Sequence, residues 1–402
     1  MLSLLSHRNF RLLWLGQLCS QFGDRLTQLV LIALVASRAS GSTLSLAKVL
    51  VVTSLPALVL NPFAGVYVDR WDRKRTMILC DLIRAAAILS LPSLVRLPSE
   101  IPFYLAVFLV FAVASFFVPA RLAIIPDLAP AGQLAEANAL FTTSGMIGST
   151  LILIVGAFLV EWIGAARSSW VNAASYIASA VFIMPILRKT DSGRRASQES
   201  PEKIFSGIAE GVRELWQHQD TRRVAGLMGL LMGGAGASVV VGTVLIQQSL
   251  GSVTKDLGFL SLWLGVGMLI GSTVYGRWGT RIPRRMVLGL AFAICGMALW
   301  GFVGAVLGLK SRVGASVAAA FLGIGVIPVS IVVNTLVHEA HPDRLHGRIF
   351  SSLGVVINVA WIGSMLIAGW LVERGGRGLF MSAIGAAFAF SGLILLCYPK
   401  RR

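Results

Sequence analysis

Gly65-Val66-Tyr67-Val68-Asp69-Arg70-Trp71-Asp72-Arg73-Lys74-Arg75 separates two long apolar runs, and how it is read decides the fold. Gly65 permits close approach of neighbouring helices. Asp69 suits a helix N-terminus, where the peptide dipoles favour an anion. Arg70, Arg73, Lys74 and Arg75 form a basic run that fixes orientation in a bilayer and pairs with acids or anionic lipid. A positive anchor alone would explain the cations but not Gly65 and Asp69 at this spacing, so Gly65, Asp69, Arg70, Arg73 and Lys74 are candidates for a gating loop.

Outward from this loop the chain is apolar. Of 402 residues 56% are hydrophobic and 13% charged, where a soluble domain carries roughly 25% charged residues. Lipid is therefore the solvent for most of its exterior. Runs long enough to cross a bilayer as helices fall at 10–36, 44–68, 76–97, 101–122, 134–160, 166–187, 224–250, 257–280, 285–309, 313–337, 346–372 and 378–398. The first carries Gln17, Gln21, Asp24 and Arg25 and is too long for the apolar region of a signal peptide, so it counts as a span. The polar segment Arg188 to Arg223 is too short for a core of its own, although Ile204 to Trp216 has the period of a surface-lying helix. Cys19, Cys80, Cys295 and Cys397 each stand alone in an apolar run, without metal-ligand spacing.

The net charge of +17 invites a nucleic-acid reading, but the cations sit in short loops between apolar runs. Twenty-four of the 35 basic residues fall on the side of the N-terminus and nine on the other, which places both termini in the cytoplasm of a multi-pass plasma (inner) membrane protein and excludes nucleic acid as a partner. The chain also repeats itself about 210 residues on. Val66-Tyr67…Arg70-Trp71 returns as Val274-Tyr275…Arg277-Trp278, and Leu159-Val160-Glu161 as Leu371-Val372-Glu373. Repeats of the same orientation imply two halves related by an axis along the membrane normal. The expected organisation is an N-terminal six-helix bundle at 1–187, a cytoplasmic linker at 188–223 and a C-terminal six-helix bundle at 224–402, an all-α membrane protein with a cavity between its halves.

The loop at 65–75 resembles the G-x-x-x-D-[RK]-x-G-[RK]-[RK] pattern of the major facilitator superfamily, with Asp72 in place of the usual glycine. Within that superfamily, Phe10-Arg11-Leu12-Leu13-Trp14-Leu15-Gly16-Gln17, Gly23-Asp24-Arg25, Asp81-Leu82-Ile83-Arg84 and the Pro119-Ala120-Arg121 that closes the fourth span are similar to the macrolide- and drug-exporter branch. The fifth span, Leu151-Ile152-Leu153-Ile154-Val155-Gly156, lacks the G-P-x-x-G-G element of many drug antiporters. The Gly23-Asp24 pair is also similar to that of lysophospholipid flippases.

Chemistry inside the bilayer falls to few residues. Gln17, Gln21, Asp24 and Gln28 recur at helical spacing and form one polar stripe, expected to line the cavity, with Arg25 about 100° round from Asp24. A charge at mid-membrane costs roughly 2.5–3.5 kcal/mol on insertion scales, which marks Asp24 as the proton-coupling candidate; the alternative is that an arginine holds it permanently. Asp81 and Arg84 share one face of the third span and form an expected structural pair or latch. Asn334 and Asn358 are the cavity-lining candidates of the second half, alongside Ser238, Gln247 and Gln248, and Phe116, Phe117, Trp263 and Trp361 offer aromatic walls. His338, Glu339, His341, Asp343 and His346 crowd one loop, but the duplicate loop Asp127 to Glu136 has no histidine and Pro342 interrupts the set, so no metal site is expected.

With no nucleophile–base set and no phosphate-binding loop, neither an enzyme nor a cofactor is expected. The resemblance implies a monomeric secondary transporter that exports a small amphiphilic compound, drug-like or siderophore-like, in exchange for protons by alternating access. The rival within transport is a lysophospholipid or other lipid flippase. From another class, the rival is a membrane sensor that transports nothing.

Overall fold

The computed structural model describes residues 2–130, 132–187, 210, 213, 216, 217, 219–340 and 343–397. Among them the chain is helical: α1 (Arg8–Arg38), α2 (Thr43–Val59), α3 (Asn61–Arg70), α4 (Arg73–Leu94), α5 (Ile101–Leu128), α6 (Leu134–Ile163) and α7 (Ala165–Ile183), then α8 (Gln219–Leu250), α9 (Lys255–Trp278), α10 (Arg284–Val303), α11 (Arg312–Ala340), α12 (Asp343–Gly375) and α13 (Arg377–Cys397). Most of the surface-helix segment expected at Ile204 to Trp216 lies outside the described residues.

Ten of these helices are long and apolar enough to cross a bilayer, and α2 with α3 makes an eleventh span bent by 54°. The bend has a cause in Pro62, which sits in the first turn of α3 and has no N–H to continue the α2 ladder. α7, at 19 residues, is within the range that spans, about 17–25, and completes the expected twelve. Its low apolarity comes from Ser168, Ser169, Asn172, Tyr176 and Ser179, all buried against protein rather than turned to lipid. α5 runs on to Leu128 with Pro119 and Pro126 inside it, so Pro119-Ala120-Arg121 does not close the span, which continues past the end expected at residue 122. Proline is tolerated in a membrane helix when neighbours re-satisfy the freed carbonyls.

The chain divides into two compact units, Met1–Arg38 with Val52–Ile204 and Ala39–Val51 with Phe205–Arg402. In the first, α1 lies along α6 and α7, α4 lies against α5 and α7, and α3 packs on α5. The second uses the same scheme: α8 lies along α12, α10 against α11 and α13, and α9 on α11. Small residues allow the close crossings; a side chain at Gly271 of α9 would come within 2.7 Å of the Ile324 carbonyl of α11. Ala39–Val51 joins the second unit because Ala47 packs with Val240 and Met365. Arg377 ties it down further, its Nε donating to Thr43 Oγ1 at 3.0 Å, one Nη to the Gly41 carbonyl, and the other to Gln248 Oε1 at 2.7 Å.

At the basic end of the first unit, Asp72 caps α4 by accepting from the Arg75 amide at 2.7 Å. Asp69 instead lies exposed in the last turn of α3, so the anion at a helix N-terminus is Asp72. Arg73 donates to the Ala123 carbonyl and to Asp127, both at 2.9 Å, and Lys74 donates to the Ile186 carbonyl at 3.0 Å. These two cations join α4 to the C-terminal end of α5 and to the chain just after α7. Arg70 closes α3 at its C-terminus, where a cation is favoured. Gly65, expected at a close helix approach, has open space where a side chain would go, because the buried positions of α3 are Ala64 and Val68.

Candidate functional site

The site is built by α1, α4 and α7 of the first unit. The α4 cap sets the helix register, and the three-residue spacing then places Asp81 and Arg84 on one face. On α1, Gly23 removes the side chain that would obstruct α7: a Cβ there would sit 2.7 Å from the Tyr176 ring. Tyr176 thereby reaches Asp24, the next residue along α1.

Arg84 is the centre. Its Nη1 donates to Asp24 Oδ1 at 2.8 Å, and its Nη2 donates to Asp81 Oδ1 and to Ser20 Oγ at 3.1 Å. Nε points to the Cys80 carbonyl at 3.4 Å. The guanidinium lies between two aromatic rings, 4.6 Å from the centroid of Phe117 and 4.6 Å from that of Tyr176, a cation–π arrangement that strengthens as water is excluded. Tyr176 also donates to Asp24 Oδ1 at 3.0 Å and lies 3.2 Å from Thr27 Oγ1. The Asn172 amide is 2.9 Å from the same Thr27 oxygen, and Ser20 donates to Asp81 at 3.2 Å.

Access divides the two carboxylates. The Arg84 side chain is 1% exposed and that of Asp81 is 0%, whereas Asp24 is 45% exposed. One guanidinium thus serves two carboxylates, one sealed and one open. A second guanidinium, that of Arg121 on α5, also acts electrostatically on Asp24.

Asp24 and the Asp81–Arg84 pair, two separate features in the sequence, are therefore one network. The partner of Asp24 is Arg84 from α4; Arg25 makes no ion pair among the described residues. Gln17, expected on a cavity wall, is 2% exposed and lines none. Gln21 turns toward α6, where a side chain at Gly145 would lie 3.0 Å from its amide nitrogen. The stripe thus packs partly on the small residues of its own unit, and Gln28 and Arg25 remain half-buried. In the second unit, Asn334 is exposed and Asn358 donates to the Gly354 carbonyl of its own helix at 2.8 Å. Gln247 donates to the Val253 carbonyl at 3.0 Å. Of the aromatic candidates, Phe117 stacks on Arg84, Phe116 packs on Trp71 at 5.6 Å, and Trp361 packs against the Ala47 cluster. Of the histidine-rich loop, Glu339 is described and pairs with Arg284, while the side chains of His338, His341, Asp343 and His346 lie outside the described residues.

Sequence reasoning missed Ser20 and Tyr176, and named Phe117 only as an aromatic wall. A usable signal was present: Ser168, Asn172, Ser175 and Ser179 recur along the sixth span at helical spacing, a second polar stripe fit to face the one on α1.

The sequence that builds this ion network and carries the basic loop at 65–75 matches a family profile. That of the Major Facilitator Superfamily covers residues 13–365. The chain belongs to this superfamily. Among its major facilitator relatives, macrolide efflux protein A of Streptococcus pyogenes is 26% identical over 96% of this chain and 93% of that protein. The uncharacterised MFS-type transporter YfiS of Bacillus subtilis is 25% identical over 96% and 92%. The multidrug efflux pump Tap of Mycolicibacterium fortuitum is 23% identical over 90% and 89%. The crystal structure of the nucleoside transporter NupG superposes with a TM-score of 0.73 over 97% of this chain and 100% of that one, at 11% identity. That likeness is one of fold alone.

Proposed function

We propose that this major facilitator protein exports small amphiphilic organic compounds from the cytoplasm in exchange for protons, by alternating access, as a monomer in the inner membrane with both termini cytoplasmic. The observation that carries the reading is the shared guanidinium: Arg84 holds a sealed Asp81 and an open Asp24. Asp24 is the proton carrier. It loads when water reaches it and releases when Arg84 holds it fully, so each cycle moves a proton. Export as the direction, and a drug-like cargo, are supported by the relatives named for macrolide and multidrug efflux. The distribution of basic residues supports the orientation.

A susceptibility panel on a deletion strain with and without the restored gene, each with and without a protonophore, tests the reading. Restored tolerance to an amphiphilic compound that vanishes with the protonophore is expected. Tolerance that survives the protonophore overturns proton coupling, and no difference across the panel overturns export. Alkaline-phosphatase fusions after Arg194 and after Lys310 should be inactive and active respectively; the reverse pattern would overturn the orientation.

A further inference from the structure

At the end of the first unit opposite the basic loop at 65–75, a cavity of about 790 Å³ opens between the C-termini of α1 and α4 and the turn that joins α6 to α7. Its size lies within the range of ligand pockets, about 300–1,000 Å³. Three arginines line it, Arg38, Arg96 and Arg167. Among the described residues, the carboxylates at this end of the unit are Glu100 and Glu161, and both lie outside the lining.

Arg38 is committed to the fold. It donates to the Val95 carbonyl at 2.8 Å and to the Pro98 carbonyl at 3.2 Å, and lies 4.0 Å from Glu100, so it braces the turn that carries Arg96. Arg96 and Arg167 are exposed and, among the described residues, neither forms a hydrogen bond or an ion pair. A cation at a helix C-terminus answers the negative end of the dipole, which accounts for Arg38 in the last turn of α1 and suits Arg96 just past α4. Arg167 is the opposite case. It stands in the first turn of α7, where a cation is disfavoured, and that turn has neither an acidic residue nor a side-chain cap. The bonds of the helix begin with the Ser168 amide, which donates to the Gly164 carbonyl at 3.0 Å, so the amides ahead of it have no acceptor within the helix. Gly164, at a φ of +83° that favours glycine, has open space beside it.

An anion at this turn would satisfy the free amides, the helix dipole and both arginines at once. The depth of the cavity selects its source. Trp162 and Trp170, both exposed, flank the turn between α6 and α7, and tryptophan concentrates at the level of lipid headgroups. Leu97 of the lining and Ile101 beyond it are exposed as well, and offer hydrocarbon beside the arginines. We propose that this cavity binds the headgroup of an anionic phospholipid, its phosphate held by Arg96, Arg167 and the first amides of α7, with the start of an acyl chain against Leu97. A phosphate free in water would leave the apolar rim unused, and a zwitterionic lipid would bring its own cation among the arginines. The inference does not depend on the identity of the exported compound.

The test uses full-length protein, delipidated in neutral detergent, with melting temperature as readout. Dioleoyl phosphatidylglycerol should raise it saturably, while dioleoyl phosphatidylcholine and inorganic phosphate should not. Arg96→Gln with Arg167→Gln should weaken the phosphatidylglycerol response about tenfold or more in concentration, whereas Lys310→Gln, basic but outside the cavity, should leave it unchanged. If the double variant fails to fold, Ala166→Glu in the lining, which places an anion of the chain's own in that first turn, should abolish the response. Equal stabilisation by phosphatidylcholine, a saturable response to inorganic phosphate alone, an unchanged response in the cavity variants, an equal weakening by Lys310→Gln, or no saturable response to phosphatidylglycerol would each overturn the proposal.

Discussion

The third membrane helix of each half starts alike and ends in opposite surroundings. α4 opens with Arg73-Lys74 and α10 with Arg284-Arg285; counting equally from there, Asp81 and Arg84 correspond to Phe292 and Cys295. Both helices pack in the same way on the helices equivalent to α5 and α7. In the first half the two positions carry a buried ion network. In the second, Phe292 is fully buried and meets Phe388 edge-on at 5.6 Å, and Cys295 is equally buried among apolar neighbours. The same helix arrangement is thus built once with charges and once without. Replacing a buried ion cluster by well-packed apolar residues is often neutral or stabilising, so architecture alone does not require Asp81, Arg84 and Asp24. Their presence in one half alone supports a role in the transport cycle and a one-sided coupling.

The largest effect should come from Arg84→Ala. It leaves the sealed Asp81 carboxylate without its ion-pair partner, and breaking such a buried pair costs about 3–5 kcal/mol. Melting of the detergent-purified protein should fall steeply. Neutralising the whole cluster with Asp24→Asn, Asp81→Asn and Arg84→Gln should recover most of that loss without restoring gradient-driven transport. An Arg84→Ala protein that melts like the parent would remove the contrast between the halves.

In the second half, Phe292→Leu should cost about 1–2 kcal/mol through the cavity it leaves, with gradient-driven transport per folded molecule unchanged. Loss of coupling in this variant would show that the halves share the proton step. Tyr176→Phe removes the hydroxyl that bridges Asp24 and Thr27 and should cost about 1 kcal/mol by the same melting assay; no change would place that hydroxyl outside the network. Smallest of all, Arg25→Gln should change stability by less than about 0.5 kcal/mol and keep transport, since Arg84 and not Arg25 holds Asp24. Transport lost at Arg25 would reverse that assignment.

Much of the fold was legible, and the reason is solvent. In lipid each span must satisfy its own backbone, so length and apolarity mark it, and the basic loops mark its ends. Legibility failed where those signals are weak. The 101–122 run reads as closed by Pro119-Ala120-Arg121, yet the helix continues through them to Leu128. Within the site, Asp81 and Arg84 were legible as a pair because three-residue spacing is a property of one helix. Their union with Asp24 depends on how α1, α4 and α7 cross, set by Gly23 and the size of Tyr176, and no periodicity within one helix encodes that. Gln17 and Gln21 misled for the same reason: a polar stripe shows that a face avoids lipid, not whether it meets water or the glycines of α6.

The central claim, that the open carboxylate of the first half carries the proton, is tested most directly with Asp24→Asn in proteoliposomes loaded with the compound the susceptibility panel identifies. The account predicts that exchange of labelled for unlabelled compound at equilibrium continues, while accumulation driven by an imposed pH gradient is abolished. An Asn variant that accumulates the compound against its gradient at the parent rate would contradict it, leaving Asp24 a structural partner of Arg84 and the proton path elsewhere.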